Sequence, residues 1–197
     1  LNNGVRDYTE FQSQLLERWL STDKVINQFL VHYKTGKAIP ATLVAKIKKS
    51  STFNQGFSTT EYLASAIMDM KLHLADPTNI DIDAFERETL AKMNMPEELV
   101  MRHRPPHFGH VFSGEGYATA YYGYMWADVL TADAAEAFQE APGGFYDKEL
   151  AAKLVTYLFD PRNSFEPLEA FRQFRGRESK IDALLRDRGC PVSEMGI

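Results

Sequence analysis

Apolar residues return every three or four positions along most of this chain, which is the spacing of one face of an α-helix. Over residues 8–20, Phe11, Leu15 and Trp19 form one such row with Leu16 and Leu20 beside it. Ser21-Thr22-Asp23 then supplies a stop followed by an N-cap. A second helix is predicted over residues 24–35, closed by Gly36, whose missing Cβ suits the left-handed residue after a helix end. Pro40 opens a third over residues 41–50, with Leu43, Val44 and Ile47 on one face. Asn54-Gln55-Gly56 interrupts the pattern, and Ser58-Thr59-Thr60-Glu61 resembles a capping box for a long helix ending at Leu74. Its apolar row is Leu63, Ile67, Met70 and Leu74, widened by Tyr62, Ala66 and Met68. Residues 82–93 form a weaker helix with Phe85 and Leu90 behind an acidic first turn.

Pro96 and the Pro105-Pro106 pair mark residues 96–109 as an extended connection, because proline restricts itself and the residue before it. Helical spacing resumes over residues 119–130 and continues over 132–140, until Pro142-Gly143-Gly144 breaks it. Residues 147–159 carry Leu150, Leu154, Tyr157 and Leu158 inward. Asp160-Pro161-Arg162-Asn163 turns the chain, and shorter helices follow over 167–174 and 181–188, the last closed by Gly189. No segment shows sustained alternation between hairpin turns. The expected architecture is therefore all-α, an irregular multi-helix domain of about eight or nine helices without a repeat period.

Residues 107–130 are the least ordinary stretch, with Tyr117, Tyr121, Tyr122 and Tyr124 inside eight positions. If the helix begins by Tyr117, then Tyr117, Tyr121 and Tyr124 share one stripe, and Tyr122, Met125, Trp126 and Val129 share the next. Two aromatic stripes cannot both be simple core, so one lines a cleft. A phenol is donor and acceptor without being charged near neutral pH, which suits it to a peptide carbonyl or an oxyanion. Packing with the hydroxyls at the surface is the competing reading, and the residue pattern alone favours it. The preceding Ser113-Gly114-Glu115-Gly116 reads as a mobile turn whose two glycines permit φ > 0 and close approach to a ligand. His103, His107 and His110 tempt a metal reading. The prolines keep His103 and His107 off a shared helix face, however, and no cysteine or carboxylate lies within the same few residues.

Composition narrows the picture. The 197 residues suit one domain or two small ones, and 44% hydrophobic content suffices for a core. A net charge of −5, with Lys46-Ile47-Lys48-Lys49 and the Arg172–Arg188 region as interrupted basic knots, argues against a nucleic-acid surface. Cys190 alone excludes an internal disulfide and fits a reducing compartment. Neither an eighteen-residue apolar run nor a basic-then-apolar leader occurs, so no membrane partner is expected. Because the first residue is Leu, a preceding segment is expected.

Three ordered motifs, Asp7-Tyr8-Thr9-Glu10-Phe11-Gln12-Ser13-Gln14-Leu15-Leu16-Glu17-Arg18-Trp19, Phe108-Gly109-His110 through Gly116-Tyr117-Ala118-Thr119-Ala120-Tyr121-Tyr122-Gly123-Tyr124-Met125-Trp126, and Phe174-Arg175-Gly176-Arg177, carry a specific resemblance. Together they resemble the C-terminal portion of the thimet-oligopeptidase family of zinc metallopeptidases, nearest in character to bacterial peptidyl-dipeptidases (dipeptidyl carboxypeptidases). The likeness runs from about Arg6 to Gly189. It implies a larger, two-lobed helical peptidase of which residues 1–197 are a C-terminal catalytic-domain fragment.

The family holds zinc with a His-Glu-x-x-His helix and a glutamate from a following helix, and the resemblance places Glu10 at that glutamate. A carboxylate there lowers the site's charge while leaving a position for water. Tyr117 and Tyr124 match the family's substrate-binding tyrosines, the second helping to stabilise the oxyanion. His110 matches a histidine that contacts the bound peptide, with Tyr121 as its neighbour and the turn holding Gly114 and Gly116 as the loop that closes over substrate. No His-Glu-x-x-His occurs in this sequence. The resemblance therefore implies zinc in the complete enzyme, none held tightly by this chain alone, and an inactive isolated chain whose partners are short peptides and the preceding part of the same protein. Dipeptide release from peptide C-termini is the implied activity, and a non-catalytic helical module binding peptides or proteins is the alternative. Cytoplasmic residence is expected, with the periplasm as the alternative. A fragment also predicts exposed apolar helix faces able to self-associate.

Overall fold

The computed structural model describes residues 5–161, 164 and 166–192. In chain order its helices are α1 (Phe11–Glu17), α2 (Asp23–Phe29), α3 (Ala41–Ser50), α4 (Gln55–Leu74), α5 (Ile82–Lys92), α6 (Gly109–Phe112), α7 (Gly123–Glu140), α8 (Lys148–Leu154), α9 (Pro167–Arg175) and α10 (Asp182–Asp187). Among the described residues there is no β-strand, and a single bridge pairs Val31 with Ala38. The chain is all-α, as the periodicity predicts. It divides into two compact units, Leu1–Phe53 with Tyr124–Ile197, and Asn54–Gly123.

The first unit is built round α7. Ala127, Ala134, Ala135 and Ala137 bury methyl-sized side chains along it, so neighbouring helices approach closely. Into that row pack Phe11 and Leu15 of α1, Leu154 and Leu158 near α8, and Ala170, Phe171 and Phe174 of α9. Phe138 is fully buried at the centre, with the Trp19 ring edge-on at 5.1 Å and Phe145 stacked at 6.0 Å. The Trp19 indole N–H donates to the Phe145 carbonyl at 2.8 Å, and the hydroxyl of the half-buried Tyr8 donates to the Pro167 carbonyl at 2.9 Å. Four residues of the Asp7–Trp19 motif, Tyr8, Phe11, Leu15 and Trp19, are thus accounted for by packing.

The Phe174–Arg177 motif has a structural explanation too. Asp133 of α7 is wholly buried, and a buried carboxylate is costly unless its oxygens are paired. Arg175 Nε donates to it at 2.9 Å, Arg177 donates through both terminal nitrogens at 2.7 Å, and the Lys180 N–H adds a fourth bond at 2.8 Å. Gly176 between the two arginines sits at φ +80°, a left-handed turn that ends α9 and swings Arg177 back. Burial pushes the Asp133 carboxyl up, but Arg177, Arg175 and the Lys180 N–H outweigh it and hold it below the usual carboxylate range.

In the second unit, α4 buries Ala64, Ser65, Ala66, Met68 and Asp69, and α5 buries Glu86 and Thr89. Glu86 is paired with Arg104 Nε at 3.0 Å, and Asp81 caps α5 by accepting the Ala84 N–H at 2.9 Å. Met101, Pro105 and Phe108 of the proline-rich connection, and Val111 of α6, are also buried.

Several boundaries differ from the sequence pattern for physical reasons. The helix expected over 24–35 stops at Phe29. Beyond it the His32 N–H donates to the Lys37 carbonyl at 2.8 Å and the Ile39 N–H to the Leu30 carbonyl at 3.0 Å, so Gly36, at φ +64°, turns a hairpin-like loop instead of capping a helix. α4 begins at Gln55 behind a left-handed Asn54, three residues ahead of Ser58, so no capping box forms. Of its predicted row, Leu63 and Leu74 are exposed and Ile67 and Met70 half-buried, while small residues, Met68 and Asp69 make the tight face. α3 buries none of its side chains. The segment predicted over 147–159 finishes in a π-helical turn, Val155–Phe159. Arg162 and Asn163 of the predicted turn lie outside the described residues.

Candidate functional site

The tyrosine-rich segment departs most from its prediction. α7 starts at Gly123, and residues 117–122 form turns in which Thr119 stands at φ +59°. Tyr117, Tyr121 and Tyr124 therefore do not share a helical stripe. The cause lies some fifty residues back, at the buried carboxylate of Asp69 on α4. Its Oδ1 accepts the Thr119 N–H at 3.0 Å and its Oδ2 accepts the Tyr121 N–H at 3.1 Å. These two bonds hold a conformation that a β-branched residue rarely adopts. Tyr62, two helical turns before Asp69, donates its hydroxyl to the Tyr121 carbonyl. His73 Nδ1 lies 2.9 Å from both Asp69 Oδ1 and the Asp69 carbonyl; with two acceptors in reach, that nitrogen carries the proton.

The anchored turn brings His110, Tyr117 and Tyr121 together. The exposed His110 ring lies against Tyr117 with centroids 4.3 Å apart, and Tyr121 meets it edge-on at 5.5 Å. Tyr121 in turn stacks on Tyr62 at 5.4 Å and sits edge-on to the buried Phe108 at 4.9 Å. The arrangement has a fixed apolar back and a front of phenols and one imidazole, groups that donate and accept hydrogen bonds without a fixed charge. Gly114 and Gly116 lie in the exposed turn, open around both positions, and neither uses the positive φ that glycine permits.

Glu10 and Tyr124 belong to the other unit. Glu10, half-buried, is the N-cap residue of α1, and its carboxylate accepts from Ser13 Oγ at 3.4 Å. One turn on, the Gln14 N–H donates to the Glu10 carbonyl at 3.0 Å, and the Gln14 side-chain amide donates to the Tyr124 carbonyl at 3.0 Å. The first turn of α1 is thereby tied to the first turn of α7. His103 stacks on Phe108 with centroids 5.3 Å apart and takes part in the aromatic back.

The residue pattern missed Asp69, His73, Tyr62 and Gln14. A signal for the first was present, since Asp69 stands alone on the run Ala64-Ser65-Ala66-Ile67-Met68 and four residues before His73, a spacing that puts both on one helix face. Among the described residues no three His, Cys, Asp or Glu side chains gather as a metal centre. Zinc needs about four ligands, and Glu10 alone does not fit that demand, so no chemical step is assigned to a metal on this chain.

Residues 2–190 match Peptidase family M3, and the chain belongs to that family. It is 34% identical to the dipeptidyl carboxypeptidase of Escherichia coli over 96% of this chain and 28% of that protein. It is 32% identical to oligopeptidase A of Haemophilus influenzae, over 95% of this chain and 28% of that protein. Saccharolysin of Saccharomyces cerevisiae is 29% identical over 93% of this chain and 26% of that protein. The chain thus spans little more than a quarter of the length of these relatives. Among the described residues no helix is long and apolar enough to cross a membrane.

Proposed function

We propose that residues 1–197 are the C-terminal part of the catalytic domain of a longer zinc metallopeptidase that hydrolyses short peptides and releases C-terminal dipeptides. Family membership supports peptide hydrolysis, and one geometric observation supports the role given to this chain: Tyr117 and Tyr121 of the anchored turn lie against His110 of α6. In this reading Glu10 is a zinc ligand, completed by a His-Glu-x-x-His helix from the preceding part of the protein. Tyr117 and Tyr124 bind the substrate, and Tyr124 donates to the oxyanion, a kind of interaction worth about 10²–10³ in rate when one donor is removed. His110 and Tyr121 line the bound peptide, and the turn bearing Gly114 and Gly116 covers it. The protein acts in the cytoplasm.

The test is hydrolysis of a blocked tetrapeptide by the protein extended upstream to include His-Glu-x-x-His, beside the isolated chain. Chelator-sensitive turnover by the extended protein with dipeptide products, and none by the isolated chain, is the expected result. Turnover by residues 1–197 alone, or none by the extended protein, overturns the reading. Peptide binding without turnover by the extended protein would favour a non-catalytic module.

A further inference from the structure

Resting on that reading, we propose that Asp69 is a positioning residue for the peptide-binding edge. Its buried carboxylate holds residues 119–121 in the one backbone conformation that sets Tyr117 and Tyr121 against His110.

Thr119 is the only left-handed residue of this turn among the described residues, and its β-branched side chain opposes that conformation. Something must offset the opposition, and both Asp69 oxygens are committed to it, one to the N–H of Thr119 and one to the N–H of Tyr121. Residue 121 is held at its other end as well, because the Tyr62 hydroxyl donates to its carbonyl. Asp69 and Tyr62 both project from α4, a twenty-residue helix, so the turn is referenced to a long rigid element and not to a neighbouring loop. His73 completes the carboxylate's partners with its Nδ1–H.

The requirement is for a carboxylate in particular. An asparagine of the same shape accepts with one oxygen only, and its NH₂ group faces an N–H donor. Asp69→Asn therefore breaks one of the two anchors and leaves the packing volume unchanged. Glycine at 119 adopts the left-handed conformation without the Cβ penalty, so Thr119→Gly makes the anchor less necessary. A residue that merely filled space would gain nothing from that second substitution.

Two measurements test the proposal. In residues 1–197, amide exchange followed by NMR should show the Thr119 and Tyr121 amides protected, and Asp69→Asn should lower that protection while other α4 amides keep theirs. In the extended protein, Asp69→Asn should lower kcat/KM for a blocked tetrapeptide about 10²-fold, the scale of roughly 1 Å misplacement. Asp69→Asn with Thr119→Gly should recover at least about 10-fold of it, while Thr119→Gly alone stays within about 3-fold of the parent. Unchanged exchange at both amides, or a loss of kcat/KM that Thr119→Gly leaves untouched, overturns the proposal. If Asp69→Asn does not fold by circular dichroism, Tyr62→Phe carries the test, with reduced protection in the same turn and about 10-fold lower kcat/KM expected. An extended protein with no peptidase activity defeats the peptidase reading alone, and the exchange measurement still decides whether Asp69 sets the turn.

Discussion

The side-chain amide of Gln14 donates to the backbone carbonyl of Tyr124 at 3.0 Å, bridging 110 positions of chain. Because the Gln14 N–H also reaches the Glu10 carbonyl, one residue joins the turn that carries Glu10 to the turn that carries Tyr124. The other side-chain atom, Oε1, is buried without a hydrogen-bond partner among the described residues. Replacing Gln14 by Met forfeits a hydrogen bond worth about 1 kcal/mol and also removes a buried unpaired oxygen costing about 1–3 kcal/mol. Urea denaturation of the Gln14→Met chain should consequently lie within about 1 kcal/mol of the parent, while peptide hydrolysis by the extended protein falls about 10-fold. A stability loss above about 3 kcal/mol would make Gln14 a structural residue only.

Asp133 should be among the least replaceable polar residues. Asp133→Ala leaves the guanidiniums of Arg175 and Arg177 facing each other without the carboxylate between them, and removing one partner of a buried ion pair costs about 3–5 kcal/mol. The urea midpoint should fall accordingly with the slope unchanged. A loss below about 1 kcal/mol would mean that the network contributes little.

Acid should weaken this unit. The Asp133 carboxyl is held below its ordinary range by Arg177, Arg175 and the Lys180 N–H acting against burial. The exposed Glu140 is lowered in the same direction, chiefly by Arg175, and Asp147 by the N–H groups of Leu150 and Gly143. A folded-state pKa below the unfolded one means that the unfolded chain binds the proton more readily. The stability is present above the ordinary carboxylate range, about pH 4, and is lost as the pH falls through the folded values. Thermal midpoints recorded from pH 7 down to about pH 3 should decline, less steeply in Asp133→Asn. A midpoint that rises on acidification would contradict this assignment.

A pair of alanine substitutions checks the packing. Phe138 is fully buried between Trp19, Phe145 and Phe174, so Phe138→Ala should cost about 3–5 kcal/mol. Leu74 is 76% exposed despite its place in the apolar row of α4, and Leu74→Ala should fall within about 0.5 kcal/mol. Similar losses at both sites in urea denaturation would show that the row, and not the small-residue face, is the buried one.

What the sequence made legible was whatever its causes kept local. Helical periodicity identified α1, α3, α5 and α9, and Gly189 ended the last helix where glycine is the expected residue. The three motifs led to the family. The turn at Thr119 was illegible because its cause, the Asp69 carboxylate, is remote in sequence and local propensity gave an uninterrupted helix. The loop after Phe29 was hidden for a related reason, since Gly36 serves equally well after a helix or at the tip of a hairpin. Leu20, Phe29 and Ile47 are exposed apolar side chains. Among the site residues, the rings of His110, Tyr117 and Tyr121 lie together, but the helical stripe expected of Tyr117, Tyr121 and Tyr124 does not form.

The first unit is assembled from two stretches of chain, whereas Asn54–Gly123 is continuous. Phe11 and Leu15 are therefore made early, but Phe138, Phe171 and Phe174, which enclose them, leave the ribosome more than a hundred residues later. Residues 54–123 are a continuous stretch, so the contacts that enclose Phe11 and Leu15 in this unit are completed only after that stretch has been made. Apolar side chains left uncovered over such an interval are the kind of surface on which nascent chains aggregate and chaperones act.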